Sequence, residues 1–150
     1  MSIVDDFNTI IDYAHFWNWA PDWHVVKEIY RLKPESYSVL TPFAYTYLEE
    51  LIRTTTNEYG IPFFDMNGKP TKIKVGMALI NLAIQENSNN HKYVQMLKKT
   101  KKYFTYINNT YDENGRNKVL HGHLHPRFWD KESFEDLIHH IAELSQFSKF

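Results

Sequence analysis

The chain has 150 residues, of which 43% are hydrophobic and 16% aromatic, enough for one domain with one sizeable core. Its 17 basic and 18 acidic residues give a formal net charge of −1, which excludes a strongly basic nucleic-acid-binding surface over the whole chain. The absence of cysteine excludes disulfides, thiolate metal sites and a cysteine nucleophile.

The first third of the chain predicts three helices. Residues 3–19 carry apolar side chains at three- and four-residue steps, which is helical spacing. Asp22 is a predicted N-cap for a second helix over residues 23–32, and Thr41-Pro42 predicts the start of a third that ends near residue 55. The first apolar stripe consists of Ile3, Phe7, Ile10, Ile11, Ala14 and Trp17.

Residues 57–74 are the least helical part of the chain, because Gly60, Pro62, Gly68 and Pro70 punctuate them. A long loop and a short hairpin, residues 61–64 against 71–75, both fit this pattern. We favour a loop that folds over the helices and packs its apolar residues against them.

The last half predicts helices over residues 75–85, 91–107 and 115–121, and a final amphipathic helix that Asp130 caps and that reaches about residue 147. The chain is therefore predicted to be a single all-α domain over residues 1–150, a compact bundle of about five to six helices. With no signal-peptide pattern and no apolar run near the ~20 residues of a membrane span, we expect a cytoplasmic protein without a membrane partner.

Two charged features precede the most distinctive segment. Residues 98–102 form a basic run, Lys-Lys-Thr-Lys-Lys, whose simplest interpretation is a solvated helix face, although it is also suited to nucleic acid. Asp5 and Asp6 are adjacent carboxylates, and neighbouring helical residues point apart. We expect both carboxylates to be solvated rather than to form an acid–base pair.

Residues 114–125 concentrate groups that bind phosphate or move protons. Arg116 offers a fixed charge and a fork that matches phosphate oxygens, and His121 can exchange a proton near neutral pH. Asn117 lies four residues before His121, so the two share a helix face. These groups suit RNA cleavage in which a 2′-hydroxyl attacks the neighbouring phosphate, a reaction that requires no metal.

The segment Arg116-Asn117-Lys118-Val119-Leu120-His121-Gly122 resembles the signature of the HEPN superfamily: an arginine, a polar residue, three further positions, then histidine, often followed by glycine. HEPN proteins are compact helical bundles that carry this motif late in the chain, before a final helix. Residues 47–53 are also similar to an early helix of several members, whereas residues 57–74 have no counterpart there.

The resemblance implies a metal-independent endoribonuclease of a toxin–antitoxin, abortive-infection or related defence system. It also implies a homodimer in which two motifs face one cleft, an RNA substrate and a cognate antitoxin. Arg116 would hold phosphate, His121 would be the catalytic histidine and Asn117 would orient the site, with no cofactor. Other members have lost catalysis and act as nucleotide-binding or protein-interaction modules.

Three alternatives stay open. The Arg116 cluster can simply cap a helix end and bind neighbouring carboxylates. His121, His123 and His125 alternate, and together with Asp130, His139 and His140 they form a weaker candidate metal site. The third alternative is a non-enzymatic interaction module whose partner or dimer face uses the aromatic residues Phe16, Trp17, Trp19 and Trp23, although aromatics at this spacing are more often core.

Overall fold

The computed structural model describes residues 2–104 and 130–150. These residues form six α-helices, and the predicted all-α class is confirmed. Short 3₁₀ turns cover Pro34–Ser36 and Lys101–Tyr103. The helices are α1 (Ile3–Tyr13), α2 (Ala20–Leu32), α3 (Tyr37–Arg53), α4 (Gly76–Glu86), α5 (His91–Thr100) and α6 (Lys131–Ser145).

The helices pack in a continuous series around one buried cluster. Helix α6 lies against α1, α3 and α5, while α3 also contacts α4, and α4 contacts α5. Every helix contributes to the cluster because each carries an apolar face at helical spacing. Helices α5 and α6 therefore lie side by side, and their polar faces border a common surface.

Side-chain caps define three helix starts. Ser2 and Asp5 form a capping box at α1, since the Ser2 hydroxyl accepts from the Asp5 N–H and the Asp5 carboxylate accepts from the Ser2 N–H. Asn90 caps α5 through the N–H of Tyr93. The predicted cap of the last helix is confirmed, because Asp130 Oδ1 accepts from the Ser133 N–H at 2.6 Å.

Helix α1 ends earlier than predicted and α3 begins earlier. Ala14 has extended backbone with ψ 150°, so the helix stops at Tyr13 and Trp17 is exposed rather than on the predicted apolar stripe. Helix α3 starts at Tyr37 and contains Pro42. Proline removes one hydrogen bond to the carbonyl four residues earlier, and the Thr41 hydroxyl binds the Tyr37 carbonyl at 2.7 Å in the same turn.

Aromatic side chains fill the contact between α2 and α3. Trp23 is fully buried, with its ring centroid 5.1 Å from that of Phe43 and 5.0 Å from that of Tyr47. Both ring pairs are edge-to-face, a favoured aromatic geometry. Trp23 is therefore core, as its spacing predicted. The predicted cap Asp22 instead lies within the first turn of α2, whose N-cap is Trp19.

The segment between α3 and α4 differs from the favoured prediction. A narrow hairpin covers residues 63–72 (hereafter the 63–72 hairpin), with an antiparallel bridge between Phe64 and Pro70. Phe63 and Phe64 are exposed, so the expectation that these residues pack over the bundle is wrong. The hydrogen bonds of the turn hold the chain in this shape without burial of its tip.

Candidate functional site

A pocket of about 380 Å³ lies between α5, with its 3₁₀ turn, and α6. Its lining residues come from the chain both before and after the 116–121 motif. Its lining combines cations, carboxylates and imidazoles. The lining residues are Lys98, Lys99, Lys102, Tyr103, Asp136, His139, His140 and Glu143.

The pocket follows from the amphipathic pattern of its two helices. Tyr93, Leu97 and Thr100 face the core from α5, which leaves Lys98 and Lys99 exposed at the edge of the buried face. On α6, Asp136 and His140 are four residues apart and therefore share a side of the helix. Two polar edges thus meet where the helices pack.

The lysines supply more charge than the carboxylates neutralise. Lys102 Nζ lies 3.0 Å from Asp136 Oδ2 in a half-exposed ion pair. Lys98 and Lys99 pair with no carboxylate of residues 2–104 or 130–150. These two ammonium groups are available to an anionic ligand, and such a ligand would suit their strongly hydrated point charges.

Tyr103 and Asp136 form a second polar contact at the pocket. The Tyr103 hydroxyl donates to Asp136 Oδ2 at 2.7 Å. Burial, together with this hydrogen bond to a carboxylate, raises the pKa of Tyr103 well above its usual range. Burial by itself raises the pKa of Asp136, but the hydrogen bonds from Tyr103 and Lys102 outweigh it and hold that pKa below its usual value. The pair is therefore a neutral phenol bound to a carboxylate at neutral pH.

His140 is buried and neutral. Its Nε2 lies 2.7 Å from the Thr100 hydroxyl, and its ring centroid is 5.0 Å from that of Tyr103. Burial first, and then the charge of Lys102, lower the pKa of His140 to about 4. At neutral pH this histidine therefore joins α5 to α6 and is not a source of positive charge for the pocket.

A buried carboxylate lies on the other side of α6. Asp6 is only 4% exposed, and both of its carboxylate oxygens are within 3.3 Å of His139 Nδ1. His139 Nε2 is in turn 3.8 Å from Glu143. The expectation that Asp6 is solvated is wrong for this residue, because α1 packs against α6 and encloses its side chain.

These two histidine contacts were missed by sequence reasoning to different degrees. His140 lies three residues after Leu137 and four before Leu144, so its position on the apolar face is visible in the pattern. No local pattern connects Asp6 with His139, because 133 residues separate them. The basic run of residues 98–102, in contrast, is visible in the sequence, and its Lys98, Lys99 and Lys102 form one wall of the pocket.

The predicted catalytic residues Arg116, Asn117 and His121 lie outside the described residues, as do His123 and His125 of the alternative metal site. The predicted helix over residues 115–121 lies there as well. In the chain, the pocket residues Lys102 and Tyr103 come before Arg116, and the pocket residues of α6 come after His121.

The remaining members of the alternative metal site do not converge. His139 contacts Asp6, whereas His140 contacts Thr100, and consecutive helical residues point about 100° apart. Asp130 caps α6 through the Ser133 N–H. Within residues 2–104 and 130–150, no group of three or more histidine, aspartate or glutamate side chains is arranged to hold a metal ion.

No helix in the described part of the chain has both the length and the apolar character to cross a membrane. No protein-family model, curated protein or solved structure matches this chain. The resemblance to HEPN proteins therefore depends on the sequence alone: residues 116–122, their position before the last predicted helix, and residues 47–53.

Proposed function

We propose that this protein is a metal-independent endoribonuclease of the HEPN type, with Arg116, Asn117 and His121 as its site. The observation that carries the proposal is the order in the chain of the 116–121 motif and the residues that line the lysine pocket. A phosphate-binding and proton-transferring motif occupies residues 116–121, and a lysine-lined pocket is formed by residues on both sides of it in the chain.

The chemistry follows from the side chains. The 2′-oxygen of one nucleotide forms a bond to phosphorus while the bond from phosphorus to the 5′-oxygen of the next nucleotide breaks. His121 accepts the 2′-proton or protonates the leaving oxygen, and Arg116 stabilises the negative charge that grows on the phosphoryl oxygens. The products are a 2′,3′-cyclic phosphate and a free 5′-hydroxyl, and the balance needs no oxidant, reductant or metal.

The lysine pocket supports this proposal through its charge. The whole chain is nearly neutral, so an RNA substrate needs a local concentration of cations. Lys98 and Lys99 provide it, and they have no carboxylate partner in the described residues. Their role would be to hold the RNA backbone, a role separate from the bond-breaking step assigned to His121.

The proposal includes the biological setting that the HEPN resemblance implies. We propose a cytoplasmic homodimer in a defence or toxin–antitoxin system, with a cognate antitoxin as protein partner. In such a dimer two copies of the Arg116–His121 motif would face one cleft, so that one His121 can accept a proton while the other donates one. Light scattering of the purified chain tests the dimer directly.

The decisive experiment is RNA cleavage by the purified full chain in EDTA. The variants Arg116→Ala and His121→Ala are compared with Arg31→Ala and His24→Ala, which remove an exposed arginine and an exposed histidine of α2. We expect cleavage in EDTA with 2′,3′-cyclic phosphate products, a loss of roughly 10²- to 10⁴-fold in His121→Ala, and unchanged rates in the α2 controls.

Other outcomes separate the alternatives. Cleavage that requires added metal and falls equally in His121→Ala, His123→Ala and His125→Ala would favour the metal site. A folded protein that binds RNA or nucleotides without cleavage would be an inactive HEPN-like module. Absence of both activities would contradict the proposal and favour a protein-interaction domain.

A further inference from the structure

The first strand and the turn of the 63–72 hairpin expose large apolar side chains. Phe63 is 84% exposed, Phe64 is 61% exposed and Met66 is fully exposed. Single exposed apolar residues are ordinary on protein surfaces, but clustered ones mark a binding site more often than chance. Neither phenylalanine belongs to the buried core cluster of the described residues, so core packing does not explain them.

Hydrogen bonds within the turn hold the backbone that carries these side chains. Asp65 Oδ1 accepts from the N–H groups of Asn67 and Lys69 at 2.8 and 3.0 Å. The Asp65 N–H donates to the Lys69 carbonyl, and the Thr71 N–H donates to the Phe63 carbonyl. Gly68 has a φ of +72°, a conformation that glycine adopts without strain. The phenylalanines are therefore presented by a defined turn.

Side chains of α3 and the residues after it anchor the base of the hairpin. Arg53 donates to the Lys74 carbonyl at 3.0 Å, and the buried Glu58 accepts from the Lys74 N–H at 2.7 Å. Glu49 accepts from the N–H of Gly76, the first residue of α4, at 2.6 Å. The hairpin thus projects from a fixed base on the bundle.

Two lysines flank Pro70 and Thr71, the residues that pair with Phe64 and Phe63 across the hairpin. Lys69 and Lys72 are exposed, and neither forms an ion pair with a carboxylate of the described residues. Asp65 is the only acidic residue of the hairpin, and its Oδ1 is bonded to two backbone N–H groups. Aromatic faces next to unpaired cations suit one class of ligand particularly well, namely single-stranded nucleic acid, whose bases stack while its phosphates meet the cations.

We propose that the 63–72 hairpin is a binding element for single-stranded RNA, in which bases stack on Phe63 and Phe64 and backbone phosphates contact Lys69 and Lys72. This inference rests on the proposed function, because it names single-stranded RNA as the substrate class of the ribonuclease. A duplex keeps its bases stacked on one another, so it offers no free base to the phenylalanines.

Binding is measured by fluorescence anisotropy in EDTA, with the full-length His121→Ala protein and a labelled single-stranded 12-nucleotide RNA of mixed sequence. We expect Phe63→Ala and Phe64→Ala each to weaken binding by roughly 5- to 150-fold, and Phe63→Trp to retain it. Phe16→Ala is the matched control, since Phe16 is another highly exposed phenylalanine, and its affinity should stay within about twofold.

The salt dependence of binding tests the cations. The slope of log K against log salt is negative, and the loss of one phosphate contact to a single strand makes it shallower by about 0.7. We expect that change for Lys69→Ala and for Lys72→Ala, and no change for Lys33→Ala, an exposed lysine at the end of α2. Circular dichroism of each variant should match the parent, because all of these side chains are exposed.

Several results would overturn the inference. These are unchanged affinity in both phenylalanine variants, an equal loss in Phe16→Ala, tighter binding to duplex RNA than to the single strand, or binding of anionic phosphatidylserine vesicles with none of RNA. If Phe63→Ala and Phe64→Ala variants that keep Arg116 and His121 cleave RNA as fast as the wild type, only the hairpin inference is contradicted. Hairpin-dependent binding without any cleavage supports the hairpin and defeats the ribonuclease proposal alone.

Discussion

His140 and Thr100 form a buried hydrogen bond of 2.7 Å between α6 and α5. The Thr100 hydroxyl has one proton, and it donates that proton to the Met96 carbonyl at 2.9 Å. The hydroxyl oxygen must therefore accept from His140, which assigns the proton of the neutral imidazole to Nε2. This contact joins the two helices that line the lysine pocket, and burial of His140 between them disfavours its charged form.

Stability should fall as pH is lowered, because His140 has a pKa of about 4 when folded and an ordinary value of 6.5. Below pH 6.5 the unfolded chain binds a proton that the folded chain does not, so the free energy of unfolding decreases until pH passes below about 4. The loss attributable to His140 is about 3 kcal/mol at most. Urea unfolding at pH 7, 5.5 and 4 measures it.

His140→Gln is the informative variant, since glutamine can donate to Thr100 but does not titrate. We expect a shallower dependence of the unfolding free energy on pH between 6.5 and 4, whereas His24→Gln, an exposed histidine of α2, should behave as the wild type. Asp136 does not obscure the comparison, because its pKa is lowered from 3.8 and it titrates below this range. An unchanged profile in His140→Gln would contradict the lowered pKa of His140.

Removing His139 should destabilise the protein through Asp6. The His139→Ala variant leaves a carboxylate that is only 4% exposed without its partner, and we expect a loss of about 1–3 kcal/mol in unfolding free energy. Asp6→Asn in the same background should recover part of that loss, which a double-mutant cycle measures. Glu143→Gln is the control, because Glu143 is half-exposed and 3.8 Å away. Equal losses of unfolding free energy in His139→Ala and Glu143→Gln would argue against a specific contribution of Asp6.

Lys98 and Lys99, which pair with no carboxylate among the described residues, should control affinity for RNA rather than the chemical step. For the double variant Lys98→Ala/Lys99→Ala we expect a higher KM and a nearly unchanged kcat. The negative slope of log K against log salt should become shallower by about 1.4, because two phosphate contacts are lost. Lys92→Ala is the matched control, since Lys92 is an exposed lysine of the same helix outside the pocket. A loss confined to kcat would instead assign the pair to the reacting phosphate.

Two tryptophans six residues apart should differ sharply in their effect on stability. Trp23 is fully buried among aromatic rings, and Trp23→Ala should lower the unfolding free energy by about 3–5 kcal/mol. Trp17 is 69% exposed, and Trp17→Ala should change it by less than about 0.5 kcal/mol. Thermal unfolding of the two variants, repeated across a tenfold range of protein concentration, measures both changes in stability. A large, concentration-dependent loss in Trp17→Ala would indicate that this side chain lies in a dimer face.

The helical class and the approximate position of each described helix could be predicted from the sequence, because apolar periodicity and side-chain caps are local properties. Asp130 shows this well, since its capping bond reaches only three residues along the chain. The boundaries of α1 and α3 were less predictable, because Trp17 and Pro42 occupy positions where local preference and packing disagree. Arg116, Asn117 and His121 also come from the sequence, and their role stays a prediction.

Which polar groups are enclosed and which apolar groups are exposed depends instead on how the helices pack against one another. Asp6 looks solvated beside Asp5, yet the packing of α1 on α6 buries it against His139. Phe63 looks like a core residue, yet the turn of the hairpin directs it away from the bundle. The pocket likewise exists only because α5 and α6 pack side by side. Burial depends on contacts between residues far apart in the chain, and those contacts leave no periodic signal in the sequence.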